Sequence, residues 1–117
     1  EELEAATQDA LPEKVDFQVL IADVEQAGRE LLGQQSEEHL TKYKGAVKKF
    51  LGAAVKQSYQ IKVTEGHGPN PKIYVSVEKI ESKLDELLRN VFSAQKDPLR
   101  LLAQIEELHG LLLDLRL

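Results

Sequence analysis

The sequence predicts an all-α fold, specifically a single-domain antiparallel helical bundle of three to four helices. Aromatic residues make up only 5% of the 117 residues and Trp is absent, so the core has to be built from aliphatic side chains. Apolar residues recur at steps of three and four over most of the chain. With 42% apolar and 30% charged residues, the chain has room for one core.

The first helix is predicted over about 12–33, after a frayed acidic tail at 1–11. Pro12 suits a first helical position, and Gly33 suits the end of a helix. Between them runs one apolar stripe made of Phe17, Leu20, Ile21, Val24, Gly28, Leu31 and Leu32. The single helical domain is therefore expected to cover 12–117.

The second helix is predicted over about 37–59, with Ser36 as its cap. Its apolar face consists of Leu40, Tyr43, Val47, Phe50, Leu51, Ala54 and Val55. Glycines and prolines cluster after it and predict a loop at 60–71. Because Tyr59, Ile61 and Val63 alternate with polar residues, as do Ile73, Val75 and Val77, a hairpin across this loop is an alternative. We favour a third helix over about 72–95.

The last helix is predicted over about 98–116, after the capping signal Asp97 and Pro98. Its stripe, Leu101, Ile105, Leu108, Leu112 and Leu115, steps by four, three, four and three. Further leucines make the helix apolar around more than half of its circumference. This predicts either the central helix of the bundle or a self-association seam. Gly110 is expected to allow a close approach between helices.

Charge is strongly segregated in this chain. Its net charge is −5, yet the stretch from Leu40 to Val63 contains six lysines and no carboxylate, whereas residues 1–38 carry a net charge of −9. On the second helix, opposite its apolar face, Lys42, Gly45, Lys49, Gly52 and Lys56 step by three and four. We call these five residues the lysine face. Since glycine on a solvated face weakens a helix, the pattern suggests that something lies close against it.

Three interpretations of the lysine face remain open. It is a solvated surface, or it pairs with the acidic first helix through Asp23, Glu25 or Glu30, or it binds another molecule. Sequence-independent binding of an anionic ligand, either nucleic acid or an acidic lipid surface, through the lysines between 42 and 62 is the alternative to a protein partner. Base reading is not expected, because the second helix has no Arg and its Tyr43 and Phe50 lie on the core side.

Catalytic, cofactor and metal sites are not expected. Cysteine is absent, which excludes disulfides and thiolate ligands. Glu106 and His109 have the spacing used in di-iron bundles, but the chain contains only one such pair. The loop glycines Gly66 and Gly68 lack the lysine and serine of a phosphate loop. No apolar run is long enough to span a membrane, and the chain begins without the pattern of a signal peptide.

Three segments in order resemble the YaaR-like family of bacterial proteins, a domain of unknown function. The first is Leu40, Tyr43, Lys44, Val47, Lys48, Lys49 and Phe50; the second is Ile73, Tyr74, Val77, Lys79, Ile80, Glu81 and Leu84; the third is Ile105, Glu107, Leu108, Gly110, Leu111, Leu112, Leu113, Asp114 and Leu115. Glu81, His109 and Arg116 depart from the residues usual in that family. The resemblance implies an all-α bundle in a bacterial cytoplasm and supplies no activity.

The sequence therefore predicts a non-catalytic cytoplasmic module that binds another protein, acidic in character, or itself as a homodimer. Affinity is expected from helix packing, and orientation from the lysine face. Neither the identity of the partner nor the oligomeric state can be inferred from the sequence.

Overall fold

The fold is known from a computed structural model that describes residues 16–64, 71–93 and 95–115. These residues form four helices and no strand: α1 Phe17–Gly33, α2 Glu37–Thr64, α3 Pro71–Phe92 and α4 Pro98–Leu115. The predicted all-α bundle is confirmed. The predicted acidic tail at 1–11 lies outside the described residues.

The helices form a four-cornered bundle in which each helix packs against the one before and the one after it. α4 closes the ring by packing on α1, and contact across the α2–α4 diagonal is slight. The pairs α1/α2 and α3/α4 share long contacts, whereas α2 and α3 touch each other sparsely. Short connections, such as 34–36 between α1 and α2, make neighbouring helices antiparallel.

Side-chain caps set several helix ends. The Asp16 carboxylate accepts hydrogen bonds from the backbone N–H groups of Gln18 at 3.1 Å and Val19 at 3.3 Å, so α1 begins at Phe17. The sequence predicts that the helix containing Phe17 starts near Pro12, but this cap places its start at Phe17, and residues 12–15 lie outside the described residues. Asp97 caps α4 in the same way, accepting from the Arg100 N–H at 3.2 Å.

The boundaries around the central loop also differ from the prediction. α2 continues to Thr64, so residues 60–64 are helical rather than part of a loop at 60–71. The physical reason is that no glycine or proline occurs between Gly52 and Gly66, and a helix continues until a breaker stops it. The alternative hairpin is wrong, since its six apolar residues all lie within α2 or α3. α3 ends at Phe92, three residues before the predicted 95.

The core lies between the four helices. Its largest fully buried side chains include Tyr43 and Phe50 of α2 and Leu108 and Leu112 of α4. All five members of the predicted α4 stripe, Leu101, Ile105, Leu108, Leu112 and Leu115, are at most 6% exposed within one chain. The expected central position of α4 is wrong, however. Four helices in a ring leave each one an outer side, and on α4 that side exposes Leu99, Leu102 and Leu113.

Candidate interaction surface

The lysine face lies on the outer side of α2, and all five of its residues are exposed. α2 buries its opposite side, so the phase of its apolar stripe turns the lysine face to solvent. A methyl group built at Gly45 or Gly52 would meet no atom within 4 Å. Nothing in the described part of the chain therefore requires glycine at either position.

One lysine of this face has a partner within the chain. Lys42 Nζ lies 3.1 Å from Glu30 Oε1, and Gln26 Nε2 donates to Glu30 Oε2 at 3.1 Å. The hydrogen bond from Gln26, and then the one from Lys42, lower the pKa of Glu30. Among the described residues, Lys49 and Lys56 form no ion pair. Pairing with α1 thus accounts for one end of the lysine face only, through a solvent-screened bridge of small stabilising effect.

An open groove runs between α2 and α3, beside the lysine face. It has a volume of about 410 Å³ and is lined mostly by apolar surface, with Lys48, Leu51, Gly52, Val55, Lys56, Val77 and Glu81 around it. We call it the α2/α3 groove. Two members of the lysine face, Gly52 and Lys56, line it as well. The basic surface and the apolar groove therefore form one continuous surface.

Sequence reasoning missed this groove. Val55 and Val77 belong to predicted apolar patterns, and both are only partly buried. The spacing of apolar residues along the sequence shows which side of a helix faces the core. The width of the groove depends instead on the distance between two helices, which that spacing does not reveal. Tyr59 and Tyr74, on the same two helices, lie outside the predicted helical apolar stripes, and the structure exposes both. These two residues were the available sequence signal.

The seam between α1 and α4 is closed where the α2/α3 groove is open. A methyl group at Gly28 would lie 3.3 Å from Ile105 Cγ2, 3.4 Å from Tyr43 Cε1 and 3.7 Å from His109 Nε2. Gly28, rather than Gly110, therefore permits the close helix approach. The expectation for Gly110 within the chain is wrong, because Gly110 is exposed and a methyl group added there would meet no atom within 4 Å.

Two polar atoms remain without a hydrogen bond in this closed seam. Tyr43 Oη and His109 Nε2 are both buried and have no partner in the described part of the chain. Burial raises the pKa of Tyr43 and lowers the pKa of His109, so both side chains are neutral near pH 7. Both side chains lie beside Gly28, which is itself buried, and they pack into the seam there.

A second hollow, of about 480 Å³, lies at the turn between α3 and α4. Its charged groups, Arg89 and Arg100 against Glu86 and Asp97, cancel in sign. Asn90 Nδ2 donates to the Asp97 carbonyl at 3.3 Å and to Gln104 Oε1 at 3.1 Å. This hollow therefore lies on the outer surface of a turn that the Asn90 hydrogen bonds stabilise, and its lining residues carry no net charge.

No arrangement typical of catalysis emerges from the described residues. Ser36 Oγ lies 2.7 Å from His39 Nδ1, but the same oxygen accepts the His39 backbone N–H at 3.1 Å, which makes it a helix cap. No three His, Asp or Glu side chains of residues 16–64, 71–93 and 95–115 come together as metal ligands. Glu106 is exposed, whereas His109 Nε2 is buried beside Gly28. Within the same ranges, no helix is long and apolar enough to cross a membrane.

Comparisons with known sequences agree with the family resemblance. A family model described as "Protein of unknown function (DUF327)" matches residues 1–116. The uncharacterized protein YaaR of Bacillus subtilis strain 168 is 29% identical over 98 residues, which cover 82% of this chain and 67% of YaaR. The resemblance drawn from the three sequence segments is confirmed.

Two solved structures are similar to the bundle. A crystal structure of an uncharacterized protein from Bacillus halodurans superposes with a TM-score of 0.74 at 31% identity, covering 86% of this chain and 83% of its own. A crystal structure of a protein from Thermotoga maritima, described under the same family, superposes with a TM-score of 0.72 at 26% identity. The match covers 97% of this chain and 93% of the other. Neither description assigns an activity.

Proposed function

The chain belongs to the DUF327 family of proteins of unknown function, and we propose that it is a non-catalytic module of the bacterial cytoplasm that binds an acidic protein surface through its lysine face. Affinity comes from apolar contacts in the adjacent α2/α3 groove. The lysines orient the partner and accelerate its association.

The observation that carries this proposal is the open space at Gly45 and Gly52. A glycine inside a helix costs about 0.5–1 kcal/mol relative to alanine. α2 contains two of them, seven residues apart on its exposed side, and neither packs against its own chain. A second molecule whose backbone comes close to α2 gives both glycines a use.

The distribution of charge supports a partner of opposite sign. The net charge of the whole chain is −5, so the lysine face is a local basic surface on an acidic molecule. Such a surface attracts an acidic patch at close range, whereas the rest of the molecule repels it. The same arrangement disfavours nucleic acid, whose long anionic backbone would also meet the acidic remainder.

Charge reversal at Lys49 and Lys56 tests the proposal. The variant Lys49→Glu/Lys56→Glu is compared with Lys79→Glu/Lys96→Glu, which changes the net charge equally at two exposed lysines outside the lysine face. Each variant is used as bait in native cell extract, and captured proteins are quantified by mass spectrometry. We expect an acidic protein to be lost only from the first bait. Identical captured sets from both baits would contradict the proposal.

Binding of an anionic ligand is the competing function, and salt dependence separates the two. Each phosphate neutralised by a lysine contributes about −0.9 to the slope of log affinity against log salt. Tyr43 and Phe50 are fully buried and offer no stacking surface for bases, and the exposed Tyr59 and Tyr74 are not part of the lysine face. We expect no salt-sensitive binding of DNA, RNA or anionic vesicles at about 50 mM salt. Strong binding that the Lys49→Glu/Lys56→Glu variant loses would favour the competing function.

A further inference from the structure

We infer that the α2/α3 groove receives the outer side of α4 from a second copy of this chain. The inference rests on the proposed function, because it names the acidic partner of the lysine face. It also gives a use to the exposed leucines of α4, which the fold of one chain leaves unexplained.

The groove is built to receive a helix. Its floor is apolar, formed by Leu51 and Val55 of α2 and Val77 of α3. Lys48 and Lys56 stand on its α2 side, and Gly52 lies between them. Since Gly52 carries no side chain, a helix in the groove approaches the α2 backbone at this point.

The outer side of α4 has the matching properties. Leu99 is 80% exposed, Leu113 46% and Leu102 39%. Leu102 and Leu113 are eleven residues apart, which is about three helical turns, so they share one flank of α4. Gly110 is exposed beside them and, like Gly52, has no atom within 4 Å of the position of an added methyl group.

Charges on the two surfaces are complementary and equally spaced. On α2, Lys48 precedes Gly52 by four residues and Lys56 follows it by four. On α4, Glu106 precedes Gly110 by four residues and Asp114 follows it by four. At 1.5 Å per residue each pair of like charges spans about 12 Å, so both carboxylates reach a lysine when the glycines face each other.

All four charged side chains are available for this contact. Lys48, Lys56, Glu106 and Asp114 are exposed, and none forms an ion pair within the described part of the chain. Glu81 on the α3 side of the groove repels carboxylates. We therefore place Gly110 of the incoming α4 toward α2, with Leu102 and Leu113, which lie about 60–80° around the helix from Gly110, in the groove.

The groove and the outer side of α4 are different surfaces of one chain. If each α4 enters the groove of the other copy, the two contacts close a dimer; if only one contact forms, a groove and an α4 stay free and assembly continues from copy to copy. In both cases the association increases reversibly with concentration.

A charge-swap experiment on the full chain tests the inference. Variant one is Lys48→Glu/Lys56→Glu, and variant two is Glu106→Lys/Asp114→Lys. Sedimentation velocity at increasing concentration, together with circular dichroism for helical content, is recorded for each variant, for the parent and for an equimolar mixture of the variants. The parent should associate, and each variant alone should associate at least about tenfold more weakly, because like charges then face each other. The mixture should associate again, because every contact between unlike copies is restored.

The outcomes separate this inference from the proposed function. A parent that stays monomeric at every concentration overturns the inference, as does association that neither variant changes or that the mixture does not restore. If the parent is monomeric but Lys49→Glu/Lys56→Glu still loses an acidic protein from extract, the inference fails and the proposed function stands. If reversal at the lysines changes neither self-association nor capture, both fail.

Discussion

The α1/α4 seam and the α2/α3 groove are two contacts between neighbouring helices of one bundle, and each contains a glycine. At Gly28 the helices meet so closely that an added methyl group would lie 3.3 Å from Ile105 Cγ2. At Gly52 an added methyl group would meet no neighbouring atom within 4 Å, and apolar side chains line an open groove beside it. The first glycine serves the fold of one chain. The second has no such neighbour in the described part of the chain, so the bundle is closed at the α1/α4 seam and open at the α2/α3 groove.

The largest expected effect comes from truncating a valine of the bundle core, and a valine in the α2/α3 groove serves as the comparison. Val24 on α1 is 0% exposed, whereas Val55 in the groove is only partly buried. Val24→Ala should lower the free energy of unfolding by about 2 kcal/mol, since it removes two buried methyl groups and leaves a cavity. Val55→Ala should lower it by less than about 1 kcal/mol, because the valine methyl groups are only partly buried, the space they leave opens to the groove, and alanine favours a helix. Urea unfolding at low protein concentration measures both. Equal losses would mean that the groove is closed in the monomer.

A smaller effect is expected at Gly28. In Gly28→Ala the new methyl group presses on Ile105 and Tyr43, which are both buried and have little freedom to move. Overpacking costs typically about 1–3 kcal/mol, and the gain in helix propensity offsets about 1 kcal/mol of it. We expect a net loss of about 1 kcal/mol in the same urea titration. A gain in stability would show that α1 and α4 can separate slightly at no cost.

The sequence predicted the fold better than it predicted the surface. The α4 stripe from Leu101 to Leu115 is fully buried as its period requires, because a stripe at steps of three and four has only one way to face a core. The predicted end of α2 comes too early, since the alternating residues after Tyr59 resemble a strand as well as a helix. The lysine face is visible as a pattern in the sequence. The groove beside it is not visible in the sequence, because the spacing of apolar residues on each helix says nothing about the distance between the two helices.

Gly52→Ala should have the opposite sign to Gly28→Ala. An exposed helical glycine replaced by alanine gains about 0.5–1 kcal/mol of stability. Gly110→Ala is the matched control on α4, since it too is exposed with open space around it. We expect both variants to unfold at higher urea concentration than the parent. If either loses stability in the monomer, its glycine has a contact inside the chain, and its place in the proposed interface would have to be abandoned.

The smallest expected effect is a dependence of stability on pH at the closed seam. The pKa of His109 is lowered mainly by burial, and the positive charge of Arg29 lowers it further. The charges of Glu25 and Glu106 and a hydrogen bond with the Val24 backbone raise it, but by less. In the unfolded chain a histidine has a pKa of about 6.5. As pH falls below that value, the unfolded chain takes up a proton that folded His109 resists, so the free energy of unfolding decreases.

The variant His109→Gln isolates this contribution, because glutamine keeps a polar side chain at the seam and does not titrate. The free energy of unfolding is measured by urea titration at pH 7.5 and pH 5.5 for the parent and the variant. The decrease between the two pH values should be smaller in the variant, since carboxylates and the other histidines contribute equally to both proteins. An unchanged decrease would mean that the α1/α4 seam admits a charged histidine. That seam would then be more open than the packing around Gly28 indicates, and the contrast between the two glycines would weaken.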